Sequence, residues 1–164
     1  PAETPLPEGA LVIPVESAAH MAETVVNLAQ DADVFIGAAA VADYRVENPA
    51  DSKRKKTGKK IELSLVENPD VLGLVAAVKK SGQIIVGFAA ETDDLIANAQ
   101  TKLKKKHLDL IVANEVNTSE SGFGTDTSRA TLISGDGKVD ALPLLTKAEV
   151  AERILDRVAA LRAR

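Results

Sequence analysis

Two runs of bulky residues, Val34-Phe35-Ile36 and Ile84-Ile85-Val86, break at once into glycine and alanine. The first opens into Gly37-Ala38-Ala39-Ala40-Val41-Ala42, the second into Gly87-Phe88-Ala89-Ala90. Unbroken apolar runs of this length belong to strands covered on both faces, as in a parallel sheet between helices. Small residues at their ends let another group approach the backbone closely. That group is either a ligand or a tightly packed helix. Polar residues follow directly, Asp43-Tyr44-Arg45 and Glu91-Thr92. In an open parallel sheet, ligands bind outside the carboxyl ends of the strands. The two ends therefore read as two walls of a nucleotide cleft, with tight helix packing as the alternative.

The rest of the chain alternates in the same way. Leu11 to Val15 reads as a short buried strand, and Ser17 as the cap of a helix whose stripe carries Met21, Val25 and Leu28. Ile61 to Val66 alternates apolar and polar residues, as a half-exposed strand does. Asn68-Pro69-Asp70 starts a helix, with cap, proline and acid in order, which runs to about Lys80 and stops at Gly82. A helix over 93–106 ends in lysines that suit its dipole. Asp109 to Ala113 is another buried strand. Arg129 to Ser134 and Lys138 to Leu142 pair as a hairpin across Gly135-Asp136-Gly137. Thr146 and Glu149 form a capping box ahead of a last helix with Val150, Ile154, Val158 and Leu161 on one face. Strands alternating with helices imply an α/β fold, a Rossmann-like, mostly parallel sheet with helices on both faces, here ending in an antiparallel hairpin.

With 164 residues, 45% hydrophobic and 27% charged, the chain reads as one soluble globular domain over 1–164. Its aromatics are Phe35, Tyr44, Phe88 and Phe123, so Val, Leu, Ile and Ala must build the core. Cysteine is absent, which excludes disulfides and thiolate metal sites and agrees with a cytoplasmic home. No apolar run approaches the roughly 20 residues of a membrane helix. The net charge of −4 argues against bulk attraction to nucleic acid. His20 and His107 lack the spacing of a zinc pair.

Several constellations could carry chemistry. Lys53, Arg54, Lys55, Lys56, Lys59 and Lys60 form either a solvated loop or a basic flap over an anionic ligand. Lys102 and Lys106, one helical turn apart, either compensate a helix end or clamp a polyphosphate. Asp43 and Glu91 each follow a strand end, where a carboxylate can hold a ribose hydroxyl or a hydrated Mg²⁺. The glycine fingerprint of a dinucleotide-binding oxidoreductase is absent, which weakens that alternative.

Taken in order, Ala39-Ala40-Val41-Ala42-Asp43-Tyr44-Arg45, Lys53-Arg54-Lys55-Lys56, Asn68-Pro69-Asp70, Gly87-Phe88-Ala89-Ala90-Glu91-Thr92, Lys102 and Lys106, Asp109 to Asn114, and Gly122-Phe123 with Asp126 resemble bacterial phosphopantothenoylcysteine synthetase. That enzyme is usually the C-terminal half of a bifunctional coenzyme A biosynthesis protein, fused to a flavin-dependent decarboxylase. The resemblance implies a homodimeric, Mg²⁺- and CTP-dependent ligase that joins 4′-phosphopantothenate to cysteine through an acyl-cytidylate. It implies nucleotide contacts at Gly37, Ala38, Ala39, Asp43, Asn68, Pro69, Phe88, Lys102 and Lys106, and assigns catalysis to Lys53, which also meets the nucleotide. It names no metal ligand. The family's opening βα unit, with its Ser-Ser-Gly-Lys-Met-Gly stretch, has no counterpart in the sequence, and Arg54 stands where the family usually carries isoleucine. A non-catalytic dimerisation fragment of the same fold is the remaining alternative.

Overall fold

The computed structural model describes residues 8–91, 94–115 and 125–163. Chain order is α1 (Ala18–Ala29), β1 (Val34–Gly37), β2 (Tyr44–Val46), β3 (Leu65–Glu67), α2 (Val71–Ala77), β4 (Ile84–Glu91) and α3 (Leu95–Lys105). There follow β5 (Leu110–Glu115), β6 (Thr127–Ser128), β7 (Ala130–Ser134), β8 (Val139–Ala141), β9 (Leu145–Thr146) and α4 (Lys147–Arg162). A five-stranded sheet has the order β1-β4-β5-β7-β8. Its first three strands are parallel, with Gly37 opposite Gly87 and Gly87 opposite Ile111. β7 and β8 add antiparallel, as the expected hairpin.

Alternation along each strand sorts the core into two layers. Ile85, Ile111 and Ile133 face α1, α2 and α3 and pack with Val75, Ala99 and Leu103. Ile84, Val86, Leu110, Val112 and Leu132 face α4, which returns Val150, Ile154 and Val158. Each fully buried side chain of this size contributes about 1.5–3 kcal/mol. Helices therefore cover both faces, as the alternation of elements requires. Ser17 caps α1 by accepting the His20 N–H at 3.1 Å. The Thr146–Glu149 box is closed in both directions.

One buried and one half-buried polar side chain tie the elements together. Gln83 donates to the carbonyls of Ala29 and Ala32 at 2.6 and 2.7 Å, satisfying acceptors left over at the end of α1. Asp109 accepts the Ile85 N–H at 2.6 Å and the Lys79 ammonium at 2.7 Å on both oxygens.

Three expectations need correction. Residues 11–15 are not a strand, and Leu11 is 82% exposed. An apolar run becomes a strand only when a sheet edge takes its backbone groups, and among the described residues β1 pairs only with β4. The alternation over 61–66 yields only β3, paired with β2 in a two-stranded ribbon. Ile61, Leu63 and Leu65 are more than half exposed, so among the described residues nothing covers them. Finally, α2 is capped by Asp70 rather than Asn68 and ends at Ala77, short of Lys80. Lys79 turns aside to Asp109, and Gly82 adopts φ +79° ahead of β4.

Candidate functional site

A cleft of ≈ 720 Å³ opens at the carboxyl end of β1. The β1 mouth contributes Gly37, Ala38, Ala39 and Asp43. Asn68 and Pro69 enter from the turn before α2, Phe88 from β4, and Lys102 and Lys106 from α3. Nine of the ten residues expected to meet a nucleotide thus line one space, although they come from segments up to about seventy residues apart. Lys53 does not: it is exposed on the segment between β2 and β3 and lies outside the lining. Gly122 and Phe123 fall outside the described residues, as does the side chain of Glu91.

The two strand ends divide the alternatives between them. Gly37, Ala38 and Ala39 face the cleft, as a ligand wall would. Gly87 faces packing instead. A Cβ there would stand 2.8 Å from both Leu72 Cδ2 and Leu108 Cδ1. The second glycine is therefore required by the seating of α2 on the sheet, and only Phe88 of that run reaches the cleft.

Asn68 holds the first mouth in shape. Its backbone N–H donates to the Asp43 carbonyl at 2.7 Å, and its Nδ2 donates to the Ala42 carbonyl at 2.8 Å. Arg45 donates to Asn68 Oδ1 at 3.4 Å and to the Glu67 carbonyl. The amide is committed to this loop, which is why the helix cap falls to Asp70. Asp70 Oδ1 accepts the Gly73 N–H at 3.1 Å and the Lys106 ammonium at 2.7 Å. Burial raises the Asp70 pKa, but the Lys106 hydrogen bond, the Gly73 N–H and the charges of Lys106 and Lys102 outweigh it. The net shift is downward, so Asp70 is ionised at neutral pH. Lys102 donates to the Phe88 carbonyl at 3.0 Å.

Sequence reading missed Asp70, Glu67 and Arg45 as parts of the site. Asp70 had read as an acid in a first helical turn. Arg45 and Asn68 meet across 23 residues, and only the β2–β3 ribbon brings them together. With Asp43, Glu67 and Asp70 against Lys102 and Lys106, the lining holds three carboxylates and two ammonium groups. The lining also carries apolar Ile13, Met21, Leu28 and Ile36. Such a cleft can hold a partly neutralised anion beside the lysines and a flat or apolar moiety against the aliphatic lining. Among the described residues, no three His, Cys, Asp or Glu side chains group to cage a metal. A second hollow of ≈ 210 Å³ lies behind Phe88, against Asn114, Ser128 and the first turns of α4.

The model of the family described as DNA/pantothenate metabolism flavoprotein C-terminal domain matches residues 1–161. The chain is 44% identical over 149 residues to the coenzyme A biosynthesis bifunctional protein CoaBC of Bacillus subtilis, covering 91% of this chain and 36% of that protein. It is 41% identical over 147 residues to a cysteine/cysteine sulfinic acid decarboxylase of an unknown prokaryotic organism, covering 90% of this chain and 41% of that protein. The chain thus spans about two fifths of the length of these curated relatives. The crystal structure of the C-terminal domain of a coenzyme A biosynthesis bifunctional protein CoaBC superposes with a TM-score of 0.76 at 37% identity, covering 98% of this chain and 72% of that one.

Proposed function

We propose, from the premise that this chain belongs to the DNA/pantothenate metabolism flavoprotein C-terminal domain family, that it is the phosphopantothenate–cysteine ligase portion of a longer bifunctional protein. In this reading CTP occupies the cleft. A carboxylate oxygen of 4′-phosphopantothenate attacks the α-phosphorus, the bond to the bridging oxygen breaks, and pyrophosphate leaves. The cysteine amine then attacks the acyl carbon and loses a proton, and CMP departs with the bonding electrons. The observation that carries this reading is the convergence of nine of the ten expected nucleotide residues on one cleft, Lys102 and Lys106 among them.

Lys102 and Lys106 meet the polyphosphate, where each charge-assisted contact is worth about 1.5–3 kcal/mol. Gly37 to Ala39 offer backbone groups to the nucleoside, and Asn68 keeps that loop in register. Mg²⁺ fits this donor set. The ion characteristically binds through one or two carboxylates with substrate phosphates and water, and the cleft supplies Asp43 singly rather than as part of a cage. When bound, it would offset charge on the triphosphate. In this reading Lys53 reaches the acyl phosphate when the segment between β2 and β3 closes over the cleft or is supplied by a second copy. The exposed Tyr44, Ile61, Leu63 and Leu65 of that region and the late hairpin form the contact between two copies. The decarboxylase chemistry in the name of one relative belongs, on this reading, to the portion outside this chain. Among the described residues no helix is long and apolar enough to cross a membrane, which agrees with a cytoplasmic setting.

The test is pyrophosphate release by the full-length protein. Release from CTP should require 4′-phosphopantothenate, exceed that from ATP, and fall strongly in Lys53→Gln with little change in nucleotide affinity. Release that ignores 4′-phosphopantothenate would overturn the assignment. Wild-type turnover in Lys53→Gln would remove that residue from catalysis.

A further inference from the structure

Two ammonium groups line the cleft. Lys102 donates to a neutral acceptor, the Phe88 carbonyl, at 3.0 Å. Lys106 is paired with a charge, 2.7 Å from Asp70 Oδ1. The Lys106 side chain is 21% exposed and that of Asp70 is 55% exposed, so the pair sits at the cleft surface rather than sealed in the core. The same carboxylate oxygen also caps α2 through the Gly73 N–H. Capping does not need a charge, because asparagine and serine cap as well as aspartate. Beyond the cap, what the ionised carboxylate faces is Lys106.

We propose that Asp70 is a positioning residue that competes with polyphosphate for Lys106 and so keeps pyrophosphate release fast. The proposal rests on the ligase reading and names a control on its product. A phosphate oxygen that reaches Lys106 shares or replaces a charge-assisted contact the ammonium already makes with Asp70, so the net gain is small. The carboxylate stays on the α2 cap beside the incoming anion and opposes it. Lys106 thereby guides a triphosphate without trapping the pyrophosphate left after the first step. Without the carboxylate, Lys106 would form a new pair at no such cost, and pyrophosphate would linger as an inhibitor.

The experiment is calorimetric titration with inorganic pyrophosphate of the full-length protein and its Asp70→Asn, Lys106→Ala and doubly substituted forms. Asp70→Asn should bind pyrophosphate about tenfold more tightly, the factor that about 1.4 kcal/mol produces. Lys106→Ala should bind it more weakly. In the Lys106→Ala background the gain from Asp70→Asn should shrink to about twofold, since only the direct repulsion remains. Equal or weaker binding in Asp70→Asn overturns the proposal. So does a gain that persists undiminished without Lys106, or a failure of every form to bind pyrophosphate. Should Asp70→Asn not fold, Asp70→Ser keeps a capping oxygen without the charge and carries the same expectations. A tenfold gain in a protein that does not release pyrophosphate in the presence of 4′-phosphopantothenate, CTP and cysteine would keep the competition between Asp70 and polyphosphate for Lys106 and defeat the ligase reading together with the role in product release.

Discussion

Gly87→Ala isolates the contact that seats α2 beside the cleft. The added Cβ would lie 2.8 Å from Leu72 Cδ2 and 2.8 Å from Leu108 Cδ1, far inside ordinary carbon contact. Leu108 is 4% exposed and cannot swing into solvent. Leu72 can yield, but it belongs to α2, so its movement drags the turn that holds Asn68 and Asp70. Overpacking of this kind costs about 1–3 kcal/mol. Replacing glycine within a strand returns about 0.5–1 kcal/mol of backbone entropy. The net expectation is a loss of about 1–2 kcal/mol, read as a lower urea midpoint at unchanged slope. Gly37→Ala serves as the comparison. Its Cβ would meet Phe35 Cε1 at 3.2 Å and Leu72 Cδ1 at 3.4 Å, which a small adjustment relieves, so its cost should be near zero. Truncating the obstruction should rescue the larger variant in part. Gly87→Ala with Leu72→Ala should cost less than the sum of the two alone by about 1 kcal/mol. A Gly87→Ala protein as stable as the parent, or strict additivity with Leu72→Ala, would refute the view that helix packing rather than a ligand demands this glycine.

Two further outcomes follow from other contacts. Asp109→Ala should destabilise the fold by about 1.5–3 kcal/mol in a urea titration, because it leaves the Ile85 N–H and the Lys79 ammonium without their acceptor. The Asp70 carboxyl should titrate below the ordinary aspartate range by carboxyl NMR, and Lys106→Ala should move it upward. Because its folded pKa is depressed, its contribution to stability is complete above about pH 4 and is lost as pH falls through the folded value, a window that Lys106→Ala should narrow. An Asp70 titration unchanged by Lys106→Ala would show that the pair does not form in solution.

What was legible in the sequence was local or periodic. The stripe of α4, the Ser17 cap, the Thr146–Glu149 box and the hairpin across Gly135-Asp136-Gly137 all follow from local spacing, and each stands in the structure, whereas the α1 stripe of Met21, Val25 and Leu28 lines the cleft, with Leu28 49% exposed. The motif series also placed nine cleft residues, because strand ends and helix faces fix where such side chains point. Tertiary structure decided the rest. Whether 11–15 or 61–66 becomes a strand depends on a partner edge and a covering helix, neither of which is written in the segment itself. Whether a glycine after a strand admits a ligand or a leucine depends on what packs against it, and Gly37 and Gly87 answer differently. Asp70 shows the same limit most plainly. Its place in an Asn-Pro-Asp turn announces a helix start. Its charge acquires a role only because α3, 36 residues further on, brings Lys106 to within 2.7 Å, and no local pattern records a contact across that distance.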